Sequence, residues 1–114
     1  METRNATDAF AALAHAQRLA VFRMLVRTGP NGLPAGDIAV RLETPPSSLS
    51  FHLGQLERAG LIRSHRKSRH VIYAADIEGT RRLLSYLTED CCEGRPELCG
   101  GLEGAIAGAR PASA

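Results

Sequence analysis

Along residues 47–59, Leu49, Leu53 and Leu56 recur at i, i+4 and i+7, a spacing that puts three leucines on one face of a helix. Ser47 and Ser48 follow Pro45-Pro46 and stand where they can cap the free N–H groups at its start. Gly60 after Ala59 suits the left-handed position that closes a helix. Ser47, Ser48, Ser50, His52, Gln55 and Arg58 fall off the leucine face. They are the small or hydrogen-bonding side chains that a helix needs to reach base edges and phosphates in a major groove. Two short runs of branched and aromatic residues follow, Leu61-Ile62-Arg63 and Val71-Ile72-Tyr73, around the basic stretch at 64–70. They predict an antiparallel hairpin with a basic tip, able to lie along a phosphate backbone or enter a minor groove.

The same patterning predicts the rest of the chain. Residues 6–14 are Ala-rich with Phe10 and Leu13 three apart, and read as a first helix whose short apolar face packs on a partner chain or closes the core. A second helix starts at His15 and runs through about Arg27, with Leu19, Phe22 and Val26, joined by Val21 and Leu25, as a wide apolar stripe. His15 reads as a cap or surface residue with no Cys or second His nearby. Residues 28–32, TGPNG, are a turn cluster. A short helix follows at about 35–42, with Ile38, Ala39 and Leu42 inward, and Glu43-Thr44-Pro45-Pro46 stops it. Residues 35–59 thus form a helix, a turn and a helix. After the hairpin, Asp76 caps a last helix, in which Ile77, Thr80, Leu84, Leu87 and Cys91 follow a heptad-like seam broadened by Leu83 and Tyr86. With the core supplied by earlier elements, that seam predicts the same helix of a second subunit as its partner. A two-fold dimer is also what two DNA half-sites one turn apart require.

Charge sharpens this picture. The net charge of +2 is bland, but residues 44–75 carry five Lys/Arg against Glu57 alone, a local +4. Residues 1–43 are near neutral at +1, and residues 76–114 carry −3. Positive charge concentrated on a helix and hairpin is the footprint of nucleic-acid binding. Ser47, Ser48, Ser50, His52 and Gln55 are the candidates for the groove, with Arg63, Arg66, Lys67 and Arg69 for phosphates and the hairpin. The length of 114 residues fits one domain. No apolar run approaches a membrane span, and METRNATDAF lacks the charged-then-apolar pattern of a signal peptide, so no membrane partner and a cytoplasmic location are expected. A Gly-rich phosphate loop after a strand and a nucleophile with a His partner outside the DNA-binding surface are both missing, so the chain does not read as an enzyme.

Ser50-x-His52-Leu53-x-x-Leu56-x-x-Ala59-Gly60-Leu61-Ile62-x-x-x-Arg66, followed by Arg69-x-x-x-Tyr73, resembles the recognition helix and wing of the ArsR/SmtB family, small bacterial repressors that sense metals and metalloids. The resemblance spans roughly residues 8–90. It implies a mainly α winged helix-turn-helix with a small β-hairpin, homodimeric through its N- and C-terminal helices, that releases operator DNA when its effector binds. The family's usual sites are not where they would be expected. The segment 37–42 has no Cys for a paired-thiolate site, and no His follows Asp76 and Glu78 for a helix-borne zinc site.

A different site is suggested by Cys91, Cys92 and Cys99, the chain's three cysteines. In a reducing compartment such a cluster reads as thiols for metal or redox chemistry rather than a disulfide frame. Adjacent helical residues point about 100° apart, so Cys91 and Cys92 converge only where the helix ends, and Gly94 and Pro96 end it. Three thiolates without His suit a three-coordinate soft ion, As(III) or Sb(III), better than structural zinc, which takes four ligands. The expected organisation is a DNA-binding and dimerisation domain at 1–90, then a Cys-containing metalloid-binding segment and flexible tail at 91–114. The alternative is a winged-helix regulator answering Cd, Pb, Zn or thiol oxidation.

Overall fold

The computed structural model describes residues 2–88. The cysteine cluster and the 91–114 segment lie outside the described residues. The described part contains five helices and a three-stranded antiparallel sheet, the winged helix-turn-helix expected from the sequence: α1 Thr3–Leu13, α2 Ala16–Thr28, β1 Leu33–Pro34, α3 Ala35–Leu42, α4 Pro46–Arg58, β2 Ile62–Lys67, β3 His70–Ala75 and α5 Ile77–Thr88. The sheet order is β1-β3-β2. No single helix among the described residues is long and apolar enough to cross a membrane.

Each break has a local cause. His15 ends the first helical run by adopting an extended conformation, and its Nδ1 accepts from the Gln17 N–H at 3.2 Å, which caps α2. The axes of α1 and α2 meet there at 99°. Between α3 and α4, Glu43 takes a left-handed conformation and the Thr44 N–H returns to the Ala39 carbonyl at 3.0 Å. The Thr44 hydroxyl, buried, donates to Leu42 and receives the Gln17 side chain, which fixes the turn to the start of α2. At the far end of α4, Gly60 sits at φ 80° and the Leu61 N–H reaches back to Leu56 at 3.1 Å, the chain reversal that a glycine makes without a Cβ penalty.

One core joins these elements. Leu49, Leu53 and Leu56 of α4 are all at most 1% exposed and pack with Val21, Leu25, Ile38, Leu61, Ile62 and Leu83. The alanines of α1 (Ala6, Ala9 and Ala12) close it from one side. The start of α5 is fixed to the end of α4. The Asp76 N–H bonds the Leu61 carbonyl at 2.9 Å, and Asp76 caps the helix by accepting from the Gly79 N–H at 2.9 Å. Gly79 lies so close to the α4 exit turn that a Cβ there would stand 2.1 Å from the Gly60 carbonyl oxygen.

Four sequence expectations change. Ser47 and Ser48 do not cap α4: Pro45 is the N-cap and Pro46 the first helical residue, with no side-chain cap. Proline fits there because its missing N–H is one that has no helical partner. In α2 the buried line is Val21 and Leu25, while Leu19 and Val26 are exposed. Apolar residues all around that helix gave its periodicity little power to choose a face. The strands run further than expected, to Lys67 and from His70, so the hairpin loop is only Ser68-Arg69, and Leu61 stays outside the strand. The sheet also gains β1, whose Leu33 and Pro34 pair with Tyr73 and Ile72.

Candidate nucleic-acid interface

With its leucines inward, α4 presents three other faces. On the wing side, the Ser64 hydroxyl of β2 donates to the Glu57 carboxylate at 2.7 Å. Burial, then the Glu57 charge, push the Tyr73 hydroxyl above its usual pKa. On the opposite side, His52 and Gln55 are half-buried toward α1 and α2. Outward stand Ser47, Ser48, Ser50 and Phe51, all exposed.

His52 is held from below. Arg18 Nη1 lies 3.5 Å from His52 Nδ1. Arginine can only donate, so Nδ1 is the acceptor and the neutral ring carries its proton on Nε2. Arg18 Nε in turn donates to the Ala12 carbonyl at 2.7 Å, tying the pair to the end of α1. The rings of His15 and His52 are 4.7 Å apart. The expectation that His15 has no second histidine nearby is therefore wrong, because the fold closes a gap of 37 residues. Burial, then the charges of His15 and Arg18, lower the His52 pKa below its ordinary 6.5. His52 is thereby tied to the base of the helix, whereas the serines are free.

The wing candidates also separate. Strand side chains alternate between faces. Arg66, paired with Val71, shares the face of Ser64 and hence of α4; Lys67, paired with His70, lies on the other. Arg69 and Ser68, the latter at φ 59°, form the tip. Arg63 sits at the base of the strand opposite Ala74. It lines a cleft of about 550 Å³ with Val26, Pro30, Ile77 and Arg81, away from the other candidates. Among the described residues the one ion pair is Arg81–Glu78 at 3.9 Å, so no wing cation is paired with a carboxylate, and Glu57 at the foot of the wing is held by Ser64 instead. The same residues contain no group of three His, Cys, Asp or Glu able to hold a metal ion. Two further features were missed in the sequence. Phe51 is 57% exposed on the outward face of α4, and its place opposite the leucines was legible from helical periodicity. Gly79 makes the contact between α5 and α4, and a glycine inside an amphipathic helix was itself a signal of close approach.

Comparison with known proteins agrees with this geometry. A model described as a helix-turn-helix domain matches residues 13–65. The transcriptional activator HlyU of Vibrio cholerae is 30% identical over 82 residues, 72% of this chain and 73% of the relative. A structure described as reduced HlyU from Vibrio cholerae N16961 superposes with a TM-score of 0.60 over 79% of this chain and 92% of that one, at 30% identity. A crystal structure of an ArsR family transcriptional regulator, 29% identical, gives a TM-score of 0.65 over 75% of this chain and 90% of its own. A homodimeric winged helix-turn-helix domain from Mycobacterium bovis shares the fold at 18% identity and a TM-score of 0.63, over 81% and 85%. These are regulators, not enzymes, and this chain belongs to the ArsR family of winged helix-turn-helix transcriptional regulators.

Proposed function

We propose that this regulator is a homodimeric repressor that holds operator DNA when effector-free and releases it when Cys91, Cys92 and Cys99 bind As(III) or Sb(III). The observation that carries this reading is the junction of α4 and α5. The helix that precedes the cysteines begins on the turn that ends the DNA-facing helix, through the Asp76–Leu61 hydrogen bond and the close approach of Gly79 to Gly60. A change in how α5 packs therefore acts on the seat of α4, a coupling between two sites through one shared contact.

Each part of the surface has a role in this reading. Ser47, Ser48, Ser50 and Gln55 enter the major groove, with His52 setting the pose of the helix through Arg18. Arg66, Lys67 and Arg69 meet phosphates. Arg63, at the base of the wing, contributes long-range attraction rather than a contact. Ile77, Leu84 and Leu87 are exposed along α5 and supply the dimer contact. A dimer fixes the separation of two α4 helices, so a small shift at the junction misfits a rigid half-site spacing. The three thiols match an ion that prefers three sulfur donors. As arsenite is taken up, each thiol proton leaves with one of its hydroxyls as water.

A second reading has its own observation. The HlyU relative is described in a reduced form and named an activator. On that reading a peroxide oxidises two of the thiols to a disulfide and is itself reduced to water, or Cd, Pb or Zn takes the site. The deciding experiment is fluorescence anisotropy of the reduced protein on the DNA upstream of its own gene, with arsenite, antimonite, cadmium or peroxide added. The same titrations are run on a variant with all three cysteines changed to serine. Arsenite should release the wild type and leave the variant bound. Release by peroxide or cadmium alone overturns the metalloid reading in favour of the second.

A further inference from the structure

We propose that Phe51 is a specificity determinant that reads the C5-methyl group of a thymine in the operator's major groove. This rests on the DNA-binding reading above and adds a base preference to it. Phe51 lies about 200° around the helix from Leu49, so the packing that buries the leucines turns the phenyl ring outward, 57% exposed. Its neighbours on that face are Ser47, Gly54, Gln55 and Arg58; the Arg58 guanidinium lies over Gly54 and the ring stays largely uncovered beside it. The ring is the one large apolar group exposed on α4. It stands edge-on to His52, with centroids 5.9 Å apart at 64°. His52 is in turn backed by Arg18 and His15, which gives the phenyl a fixed platform.

The surroundings identify the partner. The segment 44–75 carries a net +4 and, among the described residues, the wing cations form no ion pair, which favours a polyanion over an apolar protein surface. Within a duplex the major-groove edges are hydrogen-bonding groups, with one apolar exception, the thymine methyl. An apolar ring set among serines, Gln55 and Arg58 on the groove-facing side has that one complement. The ring also borders a cleft of about 480 Å³ between α1 and α4, with Ala11, Ala12, Gln55 and Arg58; a ring that served only to line that cleft would give no preference for thymine.

The test compares two duplexes of the same upstream sequence, one natural and one with every thymine replaced by deoxyuridine, which removes the methyl and keeps the pairing and the charge. Wild-type protein should bind the deoxyuridine duplex about four-fold more weakly for each methyl contacted, the effect of withdrawing one small apolar group from contact. Phe51→Ala, with its fold checked by circular dichroism, should bind both duplexes equally. Equal binding of the two duplexes by wild type overturns the proposal, as does a deoxyuridine penalty that Phe51→Ala retains. If wild type binds neither duplex even at low salt, the DNA-binding reading itself falls, a result distinct from equal binding of both.

Discussion

Helices α4 and α5 carry similar apolar patterns and use them differently. In α4 the leucines at 49, 53 and 56 are all inside the chain's own core. In α5 only Leu83 is buried to 3%, while Leu84 and Leu87 are 38% and 54% exposed and Ile77 stands open beside them. The spacing of apolar residues states that a face will be covered but not by which molecule. Here α5 gives Leu83 and half-buried Tyr86 to the core that the other elements build, and its remaining stripe of Ile77, Leu84 and Leu87 is left over for a second surface. Between the two helices lies the Gly60–Gly79 contact, which makes the position of one depend on the other.

Breaking the inward face should have the largest effect. Leu53→Ala removes a fully buried side chain and should cost about 2–5 kcal/mol, a large share of the 5–15 kcal/mol typical of a domain. Chemical denaturation with a circular dichroism readout measures it. Next comes the junction. Gly79→Ala forces a Cβ against the Gly60 carbonyl and should cost on the order of 1–3 kcal/mol, as overpacking does. It should also weaken DNA binding by displacing α5 from α4. The outer stripe should behave oppositely. Leu84→Ala with Leu87→Ala should leave the melting of the single chain almost unchanged, while sedimentation shows the dimer dissociating at concentrations where wild type stays paired. Retention of the dimer in that variant would assign the stripe to something else.

The smallest effect is at His52. Its folded pKa is lowered, chiefly by burial and then by His15 and Arg18. The unfolded chain therefore takes up the proton first, and stability rises with pH across this window. As pH falls from about the ordinary value of 6.5 through the lower folded value, the neutral ring's contribution is lost. Protonation at Nδ1 would also set two donors face to face at Arg18. Thermal melts from pH 7.5 to 5.5 should show wild type losing stability and His52→Gln, which can still accept from Arg18, losing less.

The parts of this architecture that depend on neighbours in the chain were readable in advance. The α4 leucines, the Gly60 stop and the Asp76 cap all follow from residues within one or two turns; the start of α4, expected at Ser47 and Ser48, lies at Pro45-Pro46 instead. Contacts between distant segments were not. The β1 strand is two residues long and exists because Tyr73 and Ile72 offer it a partner. The His15–His52 pair and the Gln17–Thr44 bond appear only once α2 crosses the helix-turn-helix. Arg63 and Arg66 look equivalent in sequence, and the two-residue alternation of a strand sends them to opposite faces of the sheet. Of the candidate interface, the charge and the helix were legible; which side chains stand free and which are tied down was decided by tertiary packing.

The central claim is that the outer face of α4 and the wing grip DNA. The most direct test is the salt dependence of binding to the upstream duplex, for wild type and for Arg66→Ala combined with Lys67→Ala. Each phosphate contact contributes about 0.9 to the slope of log affinity against log salt. Two lost contacts in each subunit of a dimer should lower that slope by roughly 3–4, with binding weakened across all sequences. A variant that keeps the wild-type slope would contradict the account, because the wing would then be off the DNA.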